Sequence, residues 1–229
     1  MFSIAENLSR INERIASAAE RSGRTEVDVL LIAVSKTRTP GEVCEAIRAG
    51  IQVLGENRIQ EAERKIPEVP LPVVWHLVGH LQRNKARKAV ELFDMIQSVD
   101  SLRIAQEISK RALAVGKCMD VLVEVNTSGE ETKFGIAPEQ ALDFVGEISD
   151  LKGIEVSGLM TIGAFLPNPE DVRPCFVQLR KLKERIENAD IAGVHMAHLS
   201  MGMSQDFEAA VEEGANMVRV GTGIFGVRR

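Results

Sequence analysis

The sequence predicts an α/β protein: a single (β/α)8 barrel of the TIM type, preceded by one additional helix. Short apolar runs rich in β-branched residues alternate with charged amphipathic segments, which is the pattern of parallel βαβ units. Eight such runs favour closure into a barrel over the competing fold, a doubly wound open sheet. The length of 229 residues also lies close to the ~250 residues typical of one barrel. We therefore expect one domain over residues 1–229.

In the first half of the chain, residues 4–22 carry apolar side chains at helical spacing, and Gly23 follows as a stop signal. The run 27–36, VDVLLIAVSK, is too short for a helix and typical of a strand buried on both faces. Pro40, at a first helical turn, and Gly50 bound the next helix, and Pro67 closes the one after it. Further strands are expected at 51–55, 73–78 and 95–99, and further helices at 57–65 and 81–93.

In the second half, Asp100 or Ser101 caps a helix that runs to about residue 115. A loop at 126–135 and a proline-rich loop at 166–169 separate the next elements. The expected strands are 120–125, 156–162, 194–199 and 216–220. The expected helices are 138–149, a charged helix ending near residue 188, and 204–213. Each strand is again followed by a helical pattern, as a parallel barrel requires.

Composition excludes several classes of protein. A net charge of −5 argues against a nucleic-acid partner, which needs a basic face. The three cysteines lie far apart, which indicates buried thiols of a reducing compartment. The amino terminus lacks an apolar signal segment, and no apolar run approaches the ~20 residues that span a bilayer. We expect a cytoplasmic protein without a membrane partner. No metal site is expected, because His195 and His198 are three apart on a strand and face opposite sides.

Lys36 ends the first strand. It therefore lies at the carboxyl edge of the parallel sheet, where α/β folds place their chemistry. We expect it to be partly desolvated, which favours the neutral amine as a nucleophile toward an aldehyde. A lysine that only extends its ammonium group into solvent is an equally good interpretation of this position alone.

The loops after the seventh and eighth strands form the standard phosphate site of such barrels. Here they read LSMGMS at 199–204 and RVGTGIFG at 219–226. Gly221 allows a ligand to approach the backbone, and Thr222 offers an N–H and a hydroxyl. Two ordinary glycine turns are the alternative interpretation.

A cofactor with an aldehyde at one end and a phosphate at the other satisfies both sites, and pyridoxal 5′-phosphate (PLP) is that molecule. Arg219, two residues before Gly221, is then expected near the pyridine nitrogen, at an open mouth of the barrel. Its guanidinium donates hydrogen bonds and accepts none, so it leaves that nitrogen unprotonated. A salt bridge in the barrel wall is the alternative for Arg219.

Five segments resemble the pyridoxal phosphate homeostasis protein family, and the resemblance runs nearly end to end. They are AVSK at 33–36, GENR at 55–58, WHLVGHLQRNK at 75–85, and the two loops just described. The family's fold resembles the N-terminal barrel of bacterial alanine racemase. The resemblance implies a PLP imine (Schiff base) at Lys36 and phosphate contacts around Ser200, Gly221 and Thr222, with Met201 also among the cofactor-binding residues. It also implies Arg219 near the pyridine nitrogen and Asn57 against the cofactor.

Two functions compete at this stage. A racemase of the related fold takes a tyrosine from another domain as its second acid or base, whereas this chain contains no tyrosine and ends just after the eighth strand. An open barrel mouth suits exchange of PLP instead. We therefore expect a monomeric carrier that holds and delivers PLP, contacts apo PLP-dependent enzymes transiently and catalyses no reaction. A PLP-dependent amino-acid racemase is the alternative.

Overall fold

The protein contains a closed barrel of eight parallel strands. The structure is a computed structural model and describes residues 2–226. The strands are β1 (Leu30–Val34), β2 (Val53–Glu56), β3 (Val74–Leu77), β4 (Met95–Val99), β5 (Met119–Glu124), β6 (Ile154–Met160), β7 (Val194–Met203) and β8 (Met217–Val220). Neighbours in sequence are neighbours in the sheet, and β1 pairs with β8 to close the ring. The prediction of a (β/α)8 barrel is confirmed.

Helices follow the strands on the outside of the barrel. They are α1 (Ile4–Arg21), α2 (Pro40–Arg48), α3 (Ile59–Lys65), α4 (Ala86–Leu92), α5 (Leu102–Ala114), α6 (Ala141–Ser149), α7 (Pro169–Asn188), α8 (Phe207–Glu212) and α9 (Thr222–Phe225). The four-residue α9, which directly follows β8, has no counterpart in the sequence prediction because it is too short to show an apolar period.

Two apolar layers hold the barrel together. A small cluster fills its interior: Ile32, Val53, Met95, Leu122, Met160 and Met217. A larger cluster fills the space between the strands and the surrounding helices. Side chains of one strand alternate between the two layers, so strands buried on both faces appear in the sequence as continuous apolar runs.

The opening helix is the expected addition to the barrel. Ser3 caps it, and Ser3 and Glu6 form a reciprocal capping box. Its buried face packs against α8 and α9. The Asn7 amide also donates a 2.9 Å hydrogen bond to the carbonyl of Ile224. The helix therefore covers the flank of the barrel beside β8.

Several boundaries differ from the sequence prediction, and three of them have a clear cause in the structure. β1 begins three residues later than expected, because Asp28 accepts hydrogen bonds from Thr25 and closes a 3-10 turn. A second 3-10 turn, Arg83–Lys85, delays the start of α4. β7 continues to Met203 instead of ending at residue 199, since its carboxyl end still pairs with Arg219 of β8. The last difference moves the phosphate-site residues.

Among residues 2–226, no helix combines the length and the apolar character needed to cross a bilayer.

Candidate functional site

A cavity of about 290 Å³ opens at the carboxyl ends of the strands. Loops after β1, β2, β3, β6, β7 and β8 contribute to its walls. Five of the seven residues predicted from the sequence line it: Lys36, Asn57, Arg219, Gly221 and Thr222. The other two, Ser200 and Met201, lie outside this lining. The fold therefore brings the lysine, the arginine and the glycine turn to one cavity, although 185 residues separate Lys36 from Gly221.

Lys36 lies in a turn two residues beyond the end of β1, and its side chain lines the cavity. The expectation that it is partly desolvated is wrong, because the residue is exposed. The reason is that β1 ends at Val34 rather than at the lysine itself. Thr37, next in the turn, has a φ of 64°, a left-handed conformation in which β-branched residues are strained.

Asn57 contributes an unpartnered polar atom. It follows β2, and its Oδ1 is buried without a hydrogen-bond partner among the described residues. Gly79 lies in the loop after β3 and allows this loop to pack closely against the loop after β2, which contains Asn57. A Cβ atom at position 79 would collide with the backbone oxygen of Asn57 and lie 2.8 Å from its Cα. Only glycine allows the two loops to approach in this way.

Arg219 is buried, with 4% of its surface exposed, yet its side chain reaches the cavity lining. The expectation that it lies at an open mouth is therefore wrong. Nη1 donates a 2.5 Å hydrogen bond to the hydroxyl of Ser200, and Nη2 donates a 2.6 Å bond to the carbonyl of Thr161. Burial lowers the pKa of Arg219 to about 10, against the pull of Glu124 and Asp206, so the guanidinium stays charged at neutral pH.

A chain of hydrogen bonds runs from Arg219 across the barrel interior. Because arginine only donates, the Ser200 hydroxyl accepts from it and donates to Gln97 Oε1 at 2.7 Å. Gln97 Nε2 lies 2.9 Å from His76 Nδ1. Burial, together with the charge of His198, lowers the pKa of His76 to about 4. His76 is therefore neutral at pH 7, and its Nδ1 accepts from Gln97 while its Nε2 carries the proton.

The structure corrects the prediction that Ser200 and Met201 contact the cofactor. Both lie within β7, because that strand continues to Met203. The Ser200 hydroxyl is occupied by Arg219 and Gln97, and Met201 is fully buried in the layer between strands and helices. Neither faces the cavity.

Ser204 is the hydroxyl that sequence reasoning missed. It lies directly after β7 and lines the cavity. Its Oγ accepts hydrogen bonds from the backbone N–H groups of Gly221 at 3.3 Å and Gly223 at 3.4 Å, which joins the two loops of the expected phosphate site. The alternation of apolar residues continues through Met201 and Met203, and this local signal favours a strand that ends at Met203, with Ser204 first in the loop.

Asp206 is an acidic group in the cavity wall. Its carboxylate accepts a 2.5 Å hydrogen bond from the backbone N–H of Met203, and burial raises its pKa.

Exposed apolar side chains form the outer rim of the cavity. Phe165, which is 78% exposed, and Leu166 both line the cavity mouth. The site thus combines a lysine, a buried cation, a hydroxyl-bearing glycine loop and an apolar rim.

Known proteins resemble this chain over its whole length. The family model "Alanine racemase, N-terminal domain" matches residues 6–229. A pyridoxal phosphate homeostasis protein of Aquifex aeolicus is 45% identical over 225 residues, covering 98% of each chain. The structure of PipY from Synechococcus elongatus with PLP bound superposes with a TM-score of 0.85 at 34% identity, covering 98% of this chain and all of that one.

A more distant structure shows the fold alone. An alanine racemase of Clostridium difficile, 20% identical, superposes with a TM-score of 0.74, and the match covers 96% of this chain but 55% of the racemase. The barrel is thus shared with a larger enzyme, whereas the near relatives match this chain along their full length. The chain belongs to the pyridoxal phosphate homeostasis protein family, within the alanine racemase N-terminal domain group.

Proposed function

We propose that the chain is one PLP-binding domain that carries PLP on Lys36 and takes part in PLP homeostasis in the cytoplasm. The observation that carries this proposal is that Lys36, Arg219 and the Ser204–Gly221 loop pair line the same cavity. The names of the relatives and the PLP bound to PipY support the same assignment.

The linkage would be a condensation at Lys36 Nζ. The neutral amine attacks the aldehyde carbon, the C=O bond is replaced by C=N, and the aldehyde oxygen leaves as water. Lys36 is exposed to solvent, so water and a proton acceptor are available at this atom. When bound, PLP supplies an electron-withdrawing ring whose strength depends on the protonation of its pyridine nitrogen.

The loops after β7 and β8 form the part of the cavity wall that suits the phosphate of PLP. The N–H groups of Gly221 and Gly223 make long hydrogen bonds to Ser204, at 3.3 and 3.4 Å, which a phosphate oxygen can replace or share. Thr222 adds an exposed hydroxyl. In this proposal Ser204, Gly221 and Thr222 hold the phosphate, as loops after β7 and β8 do in other barrels.

At the ring end, Arg219 is a cation that only donates hydrogen bonds, so it suits an unprotonated pyridine nitrogen. Asn57 has an unpartnered amide oxygen in the same cavity, and rotation of the amide presents either its oxygen or its nitrogen to a ring substituent. Ser200 acts through Arg219 rather than on the phosphate. Met201 packs in the apolar layer between the strands and the helices.

We propose a carrier rather than an enzyme. The sequence contains no tyrosine, the residue type that the related racemase fold uses as its second acid or base. Phe165 and Leu166 leave apolar surface exposed beside the cofactor cavity, which suits transient contact with an apo PLP-dependent enzyme during transfer. Action as a monomer stays a prediction, which sedimentation of the PLP-loaded protein checks.

Borohydride trapping tests the attachment site. Incubation with PLP followed by reduction should leave one stable adduct, and peptide mass mapping should locate it at Lys36. Lys36→Ala should lose the adduct, whereas Lys88→Ala, which removes a surface lysine of α4, should retain it. An adduct mapped to another lysine in the wild-type protein would overturn the assignment.

Amino-acid turnover tests the carrier function. The loaded protein should racemise alanine no faster than free PLP does. Racemisation well above that rate, lost in Lys36→Ala, would instead establish the racemase alternative.

A further inference from the structure

A buried cluster of three charged side chains lies directly beneath the Lys36 turn. Glu56 is the last residue of β2 and is fully buried, and Lys65, the last residue of α3, is 4% exposed. Glu61, on α3, is the third member, and a quarter of its side chain is exposed. Burying charges costs more free energy than their pairing usually returns, so stability alone is a poor explanation for such a cluster.

The cluster holds the residue before Lys36. Lys65 Nζ donates a 2.6 Å hydrogen bond to the carbonyl of Ser35, and the Ser35 hydroxyl donates a 2.7 Å bond to Glu56 Oε1. Lys65 also pairs with Glu56 Oε1 and, at 3.0 Å, with Glu61 Oε1. Both the backbone and the side chain of Ser35 are therefore bound to the cluster.

The same cluster holds the residue after Lys36. Glu61 Oε1 accepts a hydrogen bond from the backbone N–H of Thr37, the residue with a φ of 64°. A β-branched side chain in this conformation is strained and persists only where its surroundings enforce it. The bond to Glu61 supplies that enforcement. Lys36 is thus anchored through both neighbours, while its own side chain is exposed and lines the cavity.

We propose that Glu56, Lys65 and Glu61 are positioning residues that hold the strained 35–37 turn so that Lys36 Nζ faces the cofactor cavity. This inference rests on the proposed function, since it assigns these residues to the binding of PLP at Lys36. A purely structural role predicts a loss of stability alone, whereas a positioning role predicts weaker and slower attachment of PLP in a folded protein.

Glu61 is the best residue to change, because it is the most exposed member and its oxygen bonds Thr37 directly. Glu61→Ala removes the acceptor, and Glu61→Gln keeps an acceptor oxygen without the charge. Glu63→Ala is the matched control: Glu63 is on the same helix and pairs with Lys88 at 3.4 Å, away from the turn. Hydrogen exchange of the Thr37 amide in the PLP-free protein reports whether the turn is released, independently of cofactor binding.

We expect faster exchange of the Thr37 amide in Glu61→Ala, about tenfold weaker PLP binding and slower growth of the imine absorbance, the scale of losing one charge-assisted hydrogen bond. Glu61→Gln should restore most of each property, and Glu63→Ala should match the wild type. Should Glu61→Ala fail to fold, the same measurements on Glu61→Asp decide, because it keeps the charge but withdraws the acceptor.

Wild-type PLP affinity and attachment rate in Glu61→Ala would overturn the inference, whether or not the Thr37 amide exchanges faster. Failure of the proposed function has a different signature, because the wild-type protein itself would then lack a borohydride-trapped adduct at Lys36.

Discussion

Replacing Glu124 with glutamine removes a buried carboxyl group whose ionisation should weaken the fold as the pH rises. Glu124 ends β5, is 4% exposed, and has an Oε2 without a hydrogen-bond partner among the described residues. Burial, and to a smaller extent the negative charge of Asp100, raise its pKa from 4.5 to about 7, while the charge of Arg219 opposes the shift.

The sign and size of the effect follow from proton linkage. The folded protein holds this proton more tightly than the unfolded chain does, so the stabilisation is complete below the unfolded pKa and is lost as the pH rises through about 7. At 1.36 kcal/mol per pKa unit, the full loss is about 3 kcal/mol. About 2 kcal/mol of it falls between about pH 5.5 and about pH 8.5.

Urea unfolding at these two pH values measures the effect. Relative to Glu124→Gln, the wild-type protein should lose about 2 kcal/mol of unfolding free energy at the higher pH, equivalent to about 4–8 °C in Tm for a chain of this size. Taking the difference between the two proteins cancels the titration of other groups, such as His76 and Asp206. Glu147→Gln, which neutralises an exposed carboxylate, controls for the change in net charge. Parallel pH profiles for wild type and Glu124→Gln would refute the reasoning.

Two further predictions concern the loops around the cavity. Ser204→Ala should weaken PLP binding by about 1–3 kcal/mol, the cost of losing a hydrogen bond to a charged group. Ser200→Ala should instead chiefly lower stability, because it removes the partner of Arg219 Nη1 and of Gln97 Oε1 in the barrel interior. PLP titration and urea unfolding of both variants separate the two effects, and a reversed order contradicts the revised phosphate site. Gly79→Ala should cost about 1–3 kcal/mol of unfolding free energy and weaken PLP binding, because its Cβ displaces the backbone of Asn57. Gly146→Ala, on α6 with open space around it, is the matched control, and equal behaviour of the two glycine variants would contradict the close approach of the loops.

Local sequence was sufficient for the architecture because the barrel repeats one simple pattern. Each strand is buried on both faces, so an apolar run marks it without knowledge of its neighbours. The carboxyl ends of parallel strands share one edge, which places the residues after β1, β2, β7 and β8 together before any coordinate is known. Lys36, Asn57, Gly221 and Thr222 were predicted on this basis or from the family resemblance, and they line one cavity.

The exact ends of the strands were decided only by tertiary pairing. β7 continues to Met203 because Met203 pairs with Arg219 of β8; the apolar alternation of residues 199–203 allows this extension but does not show the pairing that enforces it. The extension turns Ser200 into an interior residue and brings Ser204 to the cavity. β1 ends earlier than predicted for a related reason, since hydrogen bonds between the turn after Val34 and the distant α3 release Lys36 from the strand.

Buried polar contacts were beyond the sequence for a physical reason. The hydrogen-bond chain from Arg219 through Ser200 and Gln97 to His76 joins four different strands, and the cluster of Glu56, Glu61 and Lys65 reaches the Lys36 turn across the fold. In the sequence, each of these residues is indistinguishable from an ordinary polar surface residue. A hydrogen bond depends on distances of a few tenths of an ångström and on direction, and only the packing of the whole barrel sets these quantities. The sequence thus determined which strands form and where the site lies, and the tertiary structure decided which polar groups meet there.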